Sequence, residues 1–135
     1  MTELPARGDL REVPVSVLAY IGDAVYELNV RLYLSRKSRA KSGTIHRETV
    51  KWVSAAAQAR AALRLWPLLD ENEKSIYRRG RNSQPASMPK NADPADYQAA
   101  TGFEAVIGYL YLSGEMDRLD QLLGILTEED NDGIK

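Results

Sequence analysis

Two acids stand where helical patterning calls for hydrophobes. Asp23 lies within Leu18-Ala19-Tyr20-Ile21-Gly22-Asp23-Ala24-Val25, and Glu104 within Phe103-Glu104-Ala105-Val106-Ile107-Gly108. A carboxylate withdrawn from water needs a partner, and acidic side chains are seldom fully buried unless paired or bound to metal. Glycine accompanies both acids: Gly22 beside Asp23, and Gly102 and Gly108 around Glu104. A glycine inside a helix costs about 1 kcal/mol relative to alanine, a cost usually offset by close helix packing. Two closely packed helices that each present a carboxylate could hold a hard cation such as magnesium. Glu27, one turn beyond Asp23, could join them or stand as an ordinary exposed residue. The blander alternative is that each acid bridges to a neighbour or reaches solvent at the rim of its helix.

A second constellation is basic. Arg78, Arg79, Arg81 and Asn82 fall where a short helix is expected to run into a long loop, with Lys90 on its far side. Arginines with a nearby glycine suit phosphate contacts, because the guanidinium matches phosphate geometry and glycine lets a backbone approach closely. Cations at a helix C-terminus account for Arg78 and Arg79 on electrostatic grounds alone. They do not account for Arg81, Lys90 or the loop. Arg36, Lys37, Arg39 and Lys41 form a weaker second patch. His46 reads as a surface residue or nucleic-acid contact rather than a catalyst. Tyr20, Tyr26 and Tyr33 read as core or dimer residues rather than base-stacking ones.

At these residues the sequence resembles the ribonuclease III family. The segment around Asp23 is similar to the family's signature helix, and the segment around Glu104 to its second catalytic helix. The short chain, with no double-stranded-RNA-binding domain following, and the segments Tyr77-Arg78-Arg79-Gly80-Arg81-Asn82 and Pro89-Lys90-Asn91-Ala92-Asp93 resemble the compact bacterial branch, Mini-ribonuclease III. The resemblance extends from about Leu18 to Leu112. It implies an all-α, homodimeric, magnesium-dependent endonuclease that cuts double-stranded RNA and leaves 5′-phosphate and 3′-hydroxyl ends. Asp23 and Glu104 would hold the metal, with manganese a possible substitute. The implied substrate is the precursor of large-subunit (23S) ribosomal RNA. A grip limited to one small domain suggests that a ribosomal protein shapes that substrate. Ribonuclease III carries further acids at positions that are Ser16, Ala19 and Thr101 here. Two carboxylates per subunit remain, which suffices for a magnesium ion that keeps its waters and takes a substrate phosphate. The departures leave open a non-catalytic RNA-binding module with a degenerate site. A helical metal protein acting on a small substrate is a further alternative.

The elements that must position these groups read as helices. Leu18, Ile21, Val25, Leu28 and Leu32 recur at steps of three or four, one stripe of a helix starting near Val15. Its other faces are apolar as well, so Val17, Tyr20 and Ala24 are expected at a symmetric dimer contact. One helix is expected from Ser42 or Thr44 through the alanine-rich Ala55 to Ala62, ended by Pro67. Asp70 with Glu73 has capping-box spacing and starts a short helix to Arg79. Gly80 to Asp96 reads as a loop, Tyr97 to Leu112 and Met116 to Leu126 as the last two helices. The expectation is one all-α domain over residues 1–135, of five to seven helices, with flexible ends at 1–12 and 128–135.

The chain has 135 residues, 44% hydrophobic and 27% charged, a composition that supports one packed core. It has no cysteine and one histidine, which excludes disulfides, thiolate metal sites and a cysteine nucleophile. Between Arg31 and Lys90 there are 14 Lys/Arg against 4 Asp/Glu, a local charge of +10, while the rest of the chain carries −11. The net charge of −1 therefore does not argue against a nucleic-acid partner, because binding responds to the local field. The first residues are polar with charges of both signs, unlike a signal peptide. The longest nearly uncharged run, Ala99 to Leu112, has 14 residues, too few for a span of about 20. A cytoplasmic protein without a membrane partner is expected.

Overall fold

The computed structural model describes residues 10–37, 42–83, 88 and 90–134. Six α-helices follow one another: α1 (Val15–Lys37), α2 (Ser42–Val53), α3 (Ala55–Leu65), α4 (Glu71–Asn82), α5 (Pro94–Leu112) and α6 (Met116–Ile134). Single 3₁₀ turns at Leu10–Glu12 and Trp66–Leu68 complete the described residues, among which there is no strand. The all-α expectation holds.

Helix α5 is the axis of the molecule, packed against α1, α3 and α4. Its hydrophobicity is high on nearly every face, and Ala105, Val106, Ile107 and Leu110 are all buried. Helices α1 and α5 run antiparallel, since Gly22 meets Glu104 and Leu18 meets Gly108. At this crossing no side chain separates the two backbones. A Cβ on Gly22 would overlap the Glu104 carbonyl, and one on Gly108 would overlap the Leu18 carbonyl. The two glycines are there for close approach, as their helical cost suggests.

Four boundaries differ from the sequence reading. The expected single helix from Ser42 to Leu65 is broken at Ser54, whose extended backbone (φ −62°, ψ 156°) and hydroxyl cap α3 by accepting from the Ala57 N–H at 3.2 Å. Helix α4 does not stop at Arg79. Gly80 lies inside it, pressed against Thr101 and Gly102 of α5, and Ser83 closes the helix with its hydroxyl donating to the Gly80 carbonyl at 2.7 Å. Helix α5 begins at Pro94, not Tyr97, because Asp93 accepts from the Ala95 and Asp96 N–H groups and proline suits the first helical position. The two helices are thus separated by residues 83–93 rather than by Gly80 to Asp96. Finally, α6 continues past Leu126 to Ile134.

The capping box at the start of α4 forms as its spacing predicts. Asp70 accepts from the Glu73 N–H at 2.8 Å, and Glu73 accepts from the Asp70 N–H at 2.9 Å. Glu73 also accepts from Arg118 of α6 through both carboxylate oxygens, at 2.7 and 2.8 Å. Glu73 is only 2% exposed, and the fork from Arg118 supplies the charge that its burial demands.

The inward face of α1 coincides only in part with the stripe read from the sequence. Its buried residues are Leu18, Ala19, Gly22, Tyr26, Val30 and Leu34. Of that stripe Leu18 is buried, Ile21 and Val25 are half-buried against the core, and Leu28 and Leu32 are 58% and 44% exposed, with Val17 and Tyr20 exposed beside them. A helix apolar on all sides does not reveal from its periodicity which face meets its own core.

Candidate active site

The backbone crossing of α1 and α5 places Asp23 and Glu104 together. Asp23 follows Gly22, and Glu104 supplies the carbonyl over which Gly22 packs, so both side chains emerge at one level. They do not share one environment. Asp23 is exposed and Glu104 is half-buried, so neither is the fully buried carboxylate that an apolar neighbourhood suggests. The Glu104 carboxyl lies within hydrogen-bonding reach of Asp23 and of Gln58. Burial, then the adjacent Asp23 charge and the hydrogen bond to it, push the Glu104 carboxyl up to about 8, while the contact with Gln58 pulls it down.

Asp23 and Glu104 together offer two hard oxygen ligands to a divalent cation, which would relieve the repulsion that Glu104 meets from the adjacent carboxylate. The donor set therefore fits magnesium or manganese and does not suit a soft metal. Among the described residues no third His, Asp or Glu completes a cluster. Glu27 is engaged elsewhere, in an ion pair of 2.6 Å with Arg31. Thr101, one turn before Glu104, donates its hydroxyl to the Tyr97 carbonyl at 2.9 Å. Neither takes the place of the acids that ribonuclease III has in addition.

Gln58, in the middle of α3, is absent from the sequence reading. It is a lone amide in the run Ala55-Ala56-Ala57-Gln58-Ala59, and it is 2% exposed. The available signal was its polarity on the inward side of an alanine-rich helix, and it needed the α3 register to become visible.

The basic residues divide. Arg78 lies over the Trp66 ring at 5.3 Å, beside Lys74 at 5.1 Å, and Arg81 lies over Tyr77 at 5.9 Å. Arg79 is half-buried and points to the Val13 carbonyl at 3.5 Å, a marginal hydrogen bond. Arg81 contacts Asn82 at 3.4 Å, and Asn82 and Lys90 are exposed. Arg81 and Asn82 belong to the last turn of α4, not to a loop. Gly80, just before them, packs on Thr101 and Gly102, so this basic helix end meets α5 less than one turn before Glu104. Of the weaker patch, Arg36 and Lys37 close α1, whereas Arg39 and Lys41 lie outside the described residues, as does Pro89. His46 is exposed on α2. A cleft of about 500 Å³ lined by Tyr26, Trp52, Lys51, Arg60 and Arg64 does not include the carboxyl pair.

Comparison with known proteins decides the ancestry. The ribonuclease III domain matches residues 16–115, a span that includes α1 through α5 and both carboxylates. The chain belongs to the ribonuclease III family. As a member of that family it is an endoribonuclease. This ribonuclease III chain is 45% identical over 127 residues to the Mini-ribonuclease 3 of Thermoanaerobacter sp. (strain X514), covering 94% of this chain and 89% of the relative. It is 46% identical over 111 residues to that of Symbiobacterium thermophilum, covering 82% and 85%. A crystal structure of a Fusobacterium nucleatum protein superposes on the ribonuclease III fold described above with a TM-score of 0.81 at 27% identity, covering 90% of this chain and 98% of the other.

Proposed function

We propose that this chain is a magnesium-dependent endonuclease that cuts double-stranded RNA as a homodimer, with Asp23 and Glu104 as the metal-holding carboxylates. The observation that carries this reading is the meeting of these two carboxyls at the Gly22–Gly108 crossing, within the span matched by the ribonuclease III domain. A bound cation would polarise the scissile phosphodiester and supply an activated water, giving 5′-phosphate and 3′-hydroxyl ends. The chain's own part is to hold the ion with Asp23 and Glu104 and to receive the duplex along the basic end of α4. Arg78, Arg79, Arg81, Asn82 and Lys90 meet phosphates there. Lys74 and Arg78 on the Trp66 ring, and Arg81 on Tyr77, are held in place by those aromatics, which lowers the entropy lost on contact. The exposed apolar face of α1, with Val17, Tyr20, Ala24, Leu28 and Leu32, is covered by a second copy, giving one cutting site for each strand. Among the described residues no helix is long and apolar enough to cross a membrane, and the reading places the enzyme in the cytoplasm. Its cellular task in this reading is maturation of the 23S ribosomal RNA precursor, with a ribosomal protein shaping the substrate.

One observation favours a competing reading as a non-catalytic RNA-binding module: among the described residues the site has two acids and no third. Labelled duplex RNA incubated with and without magnesium separates the two. Under the proposal, cutting requires magnesium and yields 5′-phosphate ends, and Asp23→Asn and Glu104→Gln lower the rate by at least ~100-fold while duplex binding stays near wild type. Wild-type rates in both variants would mean that the metal site is elsewhere.

A further inference from the structure

Among the described residues three polar or charged side chains are almost wholly buried: Thr49, Gln58 and Glu73, each 2% exposed. The Thr49 hydroxyl donates to the Ile45 carbonyl at 2.9 Å, and Glu73 is satisfied by Asp70 and Arg118. Gln58 differs. Its Nε2 donates to the Val53 carbonyl at 3.1 Å, and the same amide reaches the Glu104 carboxyl. Its Oε1 is buried without a hydrogen-bond partner.

The amide cannot usefully be turned over. With Oε1 in place of Nε2, an acceptor would face the Val53 carbonyl, which can only accept, and the contact that favours the ionised form of Glu104 would be lost. The break between α2 and α3 therefore has a consequence for the site. Ser54 ends one helix and starts the next, which frees the Val53 carbonyl to hold the Gln58 amide in a fixed sense. The nitrogen is then a donor to Glu104, and the oxygen is left as an acceptor. An unpaired buried acceptor is costly, and such groups call for a partner. A hard cation that keeps its waters brings strong donors next to Glu104.

We propose that Gln58 is a positioning residue of the cation site: its Nε2 fixes the Glu104 carboxylate toward Asp23, and its Oε1 accepts a hydrogen bond from water carried by the bound cation. The inference rests on the reading that Asp23 and Glu104 hold a divalent cation. Groups that orient a metal ligand typically change metal affinity 10–100-fold when removed. Gln58→Met keeps the length of the side chain and removes both polar ends.

The experiment measures Mn²⁺ binding to the RNA-free protein by electron paramagnetic resonance, beside steady-state cutting of a labelled duplex. Gln58→Met should bind Mn²⁺ about tenfold more weakly and lose a similar factor in kcat, with KM for the duplex unchanged. Gln58→Asn, which keeps the amide but shortens its reach, should show the same pattern and serves if the methionine variant does not fold. Asp23→Asn should abolish Mn²⁺ binding. Wild-type Mn²⁺ affinity in a folded Gln58 variant, even one with lowered thermal stability, overturns the inference and leaves Gln58 as a brace for the Val53 carbonyl. If Asp23→Asn binds Mn²⁺ as wild type does, the cation site itself is misplaced and the inference falls with it.

Discussion

Glu104 gives the residue scale its sharpest test. Its carboxyl is pushed up to about 8 by burial and by Asp23, against the ordinary value near 4.5 in an unfolded chain. Between those values the folded protein binds more protons than the unfolded one, so stability falls as pH rises through the window from about 4.5 to 8. With partial solvent screening the loss should amount to about 2 kcal/mol. Urea unfolding at pH 5.5 and 8.5 in a chelator should show it for wild type, and Glu104→Gln should flatten it. Magnesium should offset the loss at high pH. Equal pH dependence in wild type and variant would show that neither burial nor Asp23 raises the Glu104 carboxyl. Both acids were legible in the sequence because a carboxylate beside glycine within an apolar helix is a local anomaly. Gln58 was not, because its importance depends on which face of α3 turns inward, and alanine on all sides gives no amphipathic contrast from which to tell.

Elements explain where the sequence reading held and where it slipped. The Asp70–Glu73 box was legible because its two hydrogen bonds join residues three apart, and both form. Ser54 was not, because serine among alanines fits a helix interior nearly as well as a cap, and the choice is made by the packing of α3 on α5. Gly80 misled for a related reason: a glycine near a helix end resembles a stop signal, yet here it makes room for Gly102. The glycines of the α1–α5 crossing lead to a graded prediction. Gly22→Ala or Gly108→Ala sets a methyl group against backbone and should destabilise by about 3 kcal/mol or more, with loss of cutting. Gly124→Ala in α6 meets open space and should stabilise by about 0.5–1 kcal/mol through helix propensity. Thermal unfolding of the three variants checks the order. Equal effects at Gly22 and Gly124 would mean that the crossing is looser than described.

At the scale of the whole molecule the proposed function rests on two surfaces, the exposed face of α1 and the basic end of α4. Tyr20 is 78% exposed and Leu28 58%, with Val17 and Leu32 on the same helix, more uncovered apolar surface than a lone monomer needs. Leu28→Glu should shift sedimentation from dimer toward monomer at micromolar concentration and reduce cutting of both strands in one encounter. A stable wild-type monomer under those conditions would remove the basis for paired cutting. Binding should depend on the charge of α4. Arg79→Ala with Arg81→Ala should weaken the affinity for unrelated duplexes alike and lower the slope of log K against log salt by about 2, one for each phosphate that is no longer neutralised. Equal slopes for the double variant and wild type would return these arginines to the role of solvated surface. The +10 segment was legible in the sequence as charge, but its placement against α5 was not, because that depends on Gly80 and Gly102 meeting.

The Gly22–Gly108 contact also bears on how this protein can change over evolutionary time. The spacing of its two carboxylates is set by main chain lying on main chain, with no side chain in between. Substitutions elsewhere in the core, such as leucine for isoleucine around Ile76 or Ile107, reshape the filling without altering that spacing. The hydrophobic interior of this chain can therefore be refilled while the distance between the two acids stays fixed, so long as Gly22 and Gly108 are kept.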